Sequence, residues 1–110
     1  MRRDLQTILR DAIAAGEDII VMMEWVTEAE FVADRKSQQA IKRCFEILGE
    51  SLAHCARDFP ELAERIPEHR RVVDYRNVLA HGYDAIDPRL VYDLARTRLP
   101  GLLESVRAVR

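Results

Sequence analysis

The chain is poor in the residues that break, staple or rigidify a polypeptide. Only four glycines and four prolines occur among 110 residues, which leaves little room for long irregular segments. The two cysteines, Cys44 and Cys55, fall in one expected helix. Eleven residues of helix separate them by about 16 Å, whereas a disulfide needs Cα atoms within about 7 Å. They cannot bridge within one chain, and the expectation is a pair of small core residues in a reducing compartment. Long apolar runs are missing too. The most apolar, residues 19–23, is far shorter than the roughly 20 residues a membrane span needs, and no signal-peptide pattern is visible. A cytoplasmic location without a membrane partner is expected. The formal net charge is only −2, so nucleic-acid binding would have to come from a local basic patch.

What the chain does have is 48% apolar and 33% charged residues, the composition of a globular protein rather than a disordered one. Its length suits a single domain over residues 1–110. Aromatics are few, and Ala, Leu, Glu and Arg, all good helix formers, are common.

Apolar periodicity sets the expected elements. Residues 4–26 carry Leu5, Ile8, Leu9, Ala12, Ile13, Ile19, Ile20 and Met23 at helical spacing, weakened locally by Gly16. Thr27 and Glu30 read as a capping box that opens a short extra helical turn through Ala33, with Trp25 and Phe31 packing nearby. A second long helix spans residues 37–59, its stripe formed by Ile41, Cys44, Phe45, Leu48, Leu52 and Cys55, and Pro60 ends it. A connector over residues 61–66 leads to Pro67, which suits the first position of a third helix. That helix runs over residues 68–80, with Val72, Val73 and Leu79 inward and Val78 as a further candidate for that face. Gly82 is placed as its left-handed cap. After a loop over residues 83–87, Asp87-Pro88 starts the last helix, with Leu90, Val91, Leu94, Leu99, Leu102, Leu103, Val106 and Val109 as its apolar positions. Pro100 predicts a kink or break inside it. Nothing alternates strictly enough for a strand. The expected fold class is all-α, an antiparallel bundle of four main helices plus one short helical turn.

Several chemistries are excluded. There is no glycine-rich phosphate loop, no CxxC pair and no nucleophile-elbow serine, and His54, His69 and His81 are not spaced as ligands on one helix. Neither metal nor cofactor is expected. His54 and His69 are expected on exposed faces without a role. The run from Tyr75 to Tyr83 stands apart, because Arg76, Asn77, His81 and Tyr83 crowd one helix end. Asn77 and His81 share a face. Arg76 and His81, five residues apart, lie about 140° apart on an ideal helix. They converge only if Arg76 reaches round, if the helix ends early, or if a second subunit supplies half of the site.

Arginine offers phosphate a permanently charged planar fork, and histidine exchanges protons near neutral pH. Together they suffice for RNA cleavage without a metal. On spacing alone the plainer reading, two cations set against a helix dipole, is the stronger.

The run Arg76-Asn-Val-Leu-Ala-His81-Gly-Tyr83 resembles the Arg-x4-His-x-Tyr motif of HepT toxins in the HEPN superfamily, where a polar residue such as Asn77 typically follows the arginine. The Gly-Glu step at Gly49-Glu50, the Ile66-Pro67 entry and the Asp87 helix start resemble that family as well. Glu68-His69 departs from it, since a Trp or another bulky residue often follows the proline. The resemblance implies an endoribonuclease with Arg76, His81 and Asn77 as catalytic residues, and a homodimer lining one cleft with both motifs. It also implies a nucleotidyltransferase antitoxin partner that transfers AMP from ATP to Tyr83. Arg70 and Arg71 form a basic approach expected to guide the RNA backbone, and Glu50 could reach the same cleft, although both features also suit a plain solvated surface. The alternative is a non-catalytic helical adaptor that binds a nucleotidyltransferase or a nucleotide.

Overall fold

A computed structural model describes residues 4–67, 69–74 and 87–110. Among them every regular element is helical, and no strand occurs. The elements are α1 (Leu5–Met23), α2 (Glu28–Ala33), α3 (Arg35–Asp58), the single turn α4 (Pro60–Ala63), α5 (residues 69–74), α6 (Pro88–Asp93), a π turn (Leu94–Arg98) and α7 (Leu99–Val109). The all-α bundle expected from periodicity is thus the fold. The expected third helix over residues 68–80 is described only through residue 74, so the inward positions Val78 and Leu79 and the Gly82 cap lie outside the described residues.

The apolar stripes do the assembling. Ile8, Leu9, Ala12, Ile19, Ile41, Phe45, Leu48, Leu103 and Val106 are fully buried, each stabilising the fold by roughly 1.5–3 kcal/mol if fully removed from water, less for Ala12. Contacts between rods give their directions. Arg107 of α7 pairs with Glu17 of α1 at 3.3 Å, whereas Arg96, eleven residues earlier, reaches the Val26 carbonyl just past the C-terminal end of α1. The last helix therefore runs antiparallel to α1. α3 begins beside α2, where Gln38 Nε2 donates to the Phe31 and Val32 carbonyls at 2.9 Å each. Cys44, further along α3, feels the charge of Asp18, so α3 also opposes α1.

The turns follow the local chemistry. Thr27 and Glu30 form the expected capping box: Glu30 N donates to Thr27 Oγ1 at 3.1 Å, and Thr27 N to Glu30 Oε1 at 3.0 Å. Asp34 then ends α2 and caps α3, accepting from Ser37 N at 3.2 Å and from Ser37 Oγ at 2.6 Å. These bonds satisfy donors that a helix start leaves orphaned. Asp87 does the same for α6 through Arg89 N, with Pro88 in the first turn.

Five expectations need correction. α1 ends at Met23 rather than near Val26, because Trp25 takes φ 64, a left-handed value uncommon for a bulky residue. That turn throws Trp25 outward, so it is 90% exposed rather than packed, while Phe31 is fully buried. Ile20 and Leu90 stand largely in solvent at 39% and 57% exposure. The connector over residues 61–66 holds a helical turn that Pro60 initiates. His69, expected on an exposed face, is 9% exposed. Pro100 does bring the expected interruption of the last helix, in the form of the π turn Leu94–Arg98. It lacks the N–H for an i→i−4 bond and its ring crowds the preceding turn. The chain widens just before it, and Leu99 N bonds back five residues to the Leu94 carbonyl.

Both cysteines are free, Cys55 buried and Cys44 half-buried. Burial pushes both thiols above the ordinary range, with the negative charge of Asp18 adding to the effect at Cys44. Cys55 packs in the core and Cys44 against it.

Candidate functional site

The four motif residues, Arg76, Asn77, His81 and Tyr83, lie outside the described residues. The frame that holds residues 75–86 is described at both ends. α5 leads in, and its Val72 is 3% exposed, seated at a narrow crevice that Phe45 of α3 and Leu94, Leu99 and Leu102 of the last helix also line. Asp87 leads out, tied to the α6 start by its own cap. Both ends are thus fixed to one core, and the motif stretch bridges them.

The expected RNA-binding arginines lie on α5, and both are exposed. Arg70 Nη2 stands 3.5 Å from Glu64 Oε1, with side chains 80% and 67% exposed. Such a pair in open solvent holds weakly, so Arg70 can exchange Glu64 for a ligand. Arg71 shares the Val72 crevice with Arg98 of the π turn. Glu50 is exposed on α3.

Beside these arginines the structure has a feature that the sequence reading missed. A cleft of about 400 Å³ opens between α3, α4 and α5, lined by Ala56, Pro60, Ala63, Glu64, His69, Arg70, Val73 and Asp74. His69 is its buried polar wall, with Nδ1 3.1 Å from the Ile66 carbonyl. That oxygen can only accept, so Nδ1 carries a hydrogen and Nε2 is the ring nitrogen left for other partners. A signal existed in the chain: His69 sits three residues after Ile66 and three before Val72, both buried. Its polarity, taken without that spacing, argued for the surface.

A model of the ribonuclease HepT-like family matches residues 9–109. The chain belongs to that family. The match spans the motif run at residues 76–83 as well as the helices that frame it. Among relatives of this HepT-like chain, "Probable ribonuclease HepT" of Thermococcus cleftensis is 30% identical over 102 residues, covering 93% of this chain and 92% of the relative. "Putative RNase MJ1380" of Methanocaldococcus jannaschii is 28% identical over 108 residues, 98% of each chain. No solved structure matches. Among the described residues no helix is long and apolar enough to cross a membrane.

Proposed function

We propose that this chain is a metal-independent endoribonuclease acting as the toxin of a toxin–antitoxin system, a single cytoplasmic domain over residues 1–110. The observation that carries the reading is an intact Arg76…His81…Tyr83 run inside a family match that covers residues 9–109. An adaptor would need a phosphate contact but no proton-transfer group, and this run supplies both.

The chemistry is transfer within the RNA strand. A ribose 2′-oxygen attacks the adjacent phosphorus, the bond to the 5′-oxygen breaks, and a proton must leave the first oxygen and reach the second. His81 takes the 2′-hydroxyl proton or delivers one to the leaving 5′-oxygen. Arg76 holds the scissile phosphate and stabilises the charge that builds on its oxygens. Asn77 orients the imidazole or the phosphate. Two chains pair so that both motifs line one cleft, which lets Arg76 and His81 cooperate despite their angular separation. Arg70 and Arg71 guide the RNA, a tRNA or mRNA.

Control falls to a partner nucleotidyltransferase. It transfers AMP from ATP to the Tyr83 oxygen, with pyrophosphate leaving. The adduct places bulk and negative charge beside the cleft, where it excludes a phosphate backbone by occlusion and repulsion.

The test uses purified protein whose intact mass shows Tyr83 unmodified. Incubated with total tRNA and other RNA in EDTA, the wild type cleaves. Arg76→Ala and His81→Ala each lose about 10²–10⁴-fold in rate. Failure of the unmodified wild type to cleave a broad RNA set would overturn the enzyme reading in favour of the adaptor.

A further inference from the structure

The cleft between α3, α4 and α5 has the wrong charge for a phosphate and the right chemistry for a base. Glu64 and Asp74 bring two negative charges against the single positive charge of Arg70, and Ala56, Pro60, Ala63 and Val73 supply apolar wall. At about 400 Å³ the space falls within the range of small-molecule sites. Its occupant should be flat, uncharged, apolar on its faces and polar at its edges, which describes a nucleobase.

We propose that this cleft is a subsite that takes a guanine base of the RNA, an assignment that rests on the ribonuclease reading above. Guanine alone among the four bases offers two adjacent donors, N1–H and the N2 amino group, and these match the two oxygens of a carboxylate. Asp74 supplies that carboxylate: it is exposed at the lip of the cleft, and no ion pair among the described residues engages it. On the neighbouring edge, guanine O6 and N7 are both acceptors, the pattern that an arginine fork reads. Arg70 meets Glu64 through Nη2 alone, so further donors remain for that edge. His69 closes the floor as a rigid wall, its ring held by the Ile66 carbonyl.

Position supports a role next to the chemistry. Asp74 precedes Arg76 by two residues, and chain connectivity holds their Cα atoms within about 7 Å. A base seated at Asp74 therefore lies against the same short stretch of chain as the arginine proposed to hold the scissile phosphate.

The experiment measures binding, so that it stands apart from cleavage. His81→Ala protein is titrated with short single-stranded RNAs that carry one guanosine or one inosine in an otherwise uridine sequence, alongside guanosine and inosine monophosphates. Inosine lacks only the N2 amino group. The guanosine RNA should bind about tenfold more tightly than the inosine RNA, the worth of one hydrogen bond to a charged acceptor. Asp74→Asn should erase that ratio while leaving the circular dichroism spectrum unchanged. Equal binding of the two RNAs, a ratio that survives Asp74→Asn, or a guanine preference confined to the free mononucleotides would each overturn the assignment. A protein that never cleaves RNA yet shows the guanosine ratio would defeat the ribonuclease reading and leave the guanine site standing.

Discussion

A Cβ built on Gly16 of α1 would stand 2.8 and 2.9 Å from Cδ1 and Cγ of Leu103 on α7, and closer still to Cδ2. Leu103 is fully buried, so it has nowhere to retreat. Glycine here is what lets the first and last helices approach, and its cost to helix propensity is outweighed by the packing. Gly16→Ala should lower stability by about 1 kcal/mol net, as overpacking exceeds the propensity gain. Gly101 is the internal control, since a Cβ there meets nothing within 4 Å; Gly101→Ala should raise stability by up to about 1 kcal/mol. Urea midpoints of the two variants would show opposite shifts. A stabilising Gly16→Ala would mean that Leu103 yields and the close approach is not a constraint.

Tyr92 and Arg96 form the second long-range tie. Tyr92 Oη donates to the Val26 carbonyl at 2.7 Å, Arg96 Nη2 donates to the same oxygen at 2.6 Å, and Arg96 Nε meets Tyr92 Oη at 3.2 Å. The guanidinium also lies 5.2 Å from the Tyr92 ring centre. Together they hold the turn that Trp25 starts against the last helix. Tyr92→Phe should cost about 1 kcal/mol, because Arg96 still serves the Val26 oxygen. Arg96→Ala should cost a similar amount. The double variant should depart from the sum by at least 0.5 kcal/mol. Strict additivity in a double-mutant cycle would show that the two side chains act separately.

These ties show where the sequence was legible. The rods, the capping box and the Asp87-Pro88 start could be read because each rests on local rules: a repeat near 3.6, a Thr with Glu three residues on, an Asp before a Pro. The family was legible because its motif lies in one short run. Trp25, Leu90 and Ile20 were misplaced, since each carries apolar character at a plausible phase; the left-handed turn turns Trp25 outward, and Ile20 and Leu90 fall on the solvent sides of their helices. Pro100 marked an interruption but not its π form, and the Arg96–Tyr92–Val26 contact depends on residues far apart in sequence. His69 was misjudged for the complementary reason, as a polar side chain can be buried cheaply where a carbonyl such as that of Ile66 waits for it. The candidate cleft follows from this burial and from the α4 turn, neither of which periodicity reveals.

Acid should loosen the α2–α3 corner before the core. Hydrogen bonds from the Thr27 backbone and hydroxyl hold the Glu30 carboxyl below its ordinary range, and the Ser37 hydroxyl and backbone do the same for Asp34. A carboxyl whose pKa is depressed by folding adds stability that is fully present above its unfolded value and is lost as pH falls through the folded one. Stability should therefore be flat from neutral pH down to the ordinary carboxylate range and decline below it. In Glu30→Gln with Asp34→Asn, which cannot titrate, the decline should be shallower. Denaturation midpoints measured from pH 7 to pH 2 would check this, and identical acid limbs in both proteins would remove these carboxyls as the cause.

Arg70 and Arg71 should set part of the salt dependence of RNA binding. Each arginine that sits on a phosphate of a single strand releases counterions worth about 0.7 in the slope of log K against log salt. In the His81→Ala background, which prevents turnover, Arg71→Ala should flatten that slope by about 0.7, and on an RNA that lacks guanine, where Arg70 has no base edge to read, replacing both arginines should flatten it by up to about 1.4. Fluorescence anisotropy of a labelled RNA across a salt series gives the slopes. An unchanged slope in the double variant would make these residues ordinary solvated surface.

Tyr83→Phe separates control from catalysis. Phenylalanine keeps the ring but has no oxygen to accept AMP, so the variant should cleave RNA at a rate within a few-fold of the wild type, as expected when no transition-state contact is lost. The two proteins should differ only in the presence of the partner nucleotidyltransferase and ATP. Under those conditions the wild type should gain the mass of AMP and lose its activity, while Tyr83→Phe gains nothing and stays active. Omitting ATP should leave both active, which separates modification from simple masking by a bound partner. If Tyr83→Phe were silenced as fully as the wild type, Tyr83 would not be the control point, and the antitoxin would have to act by covering the cleft.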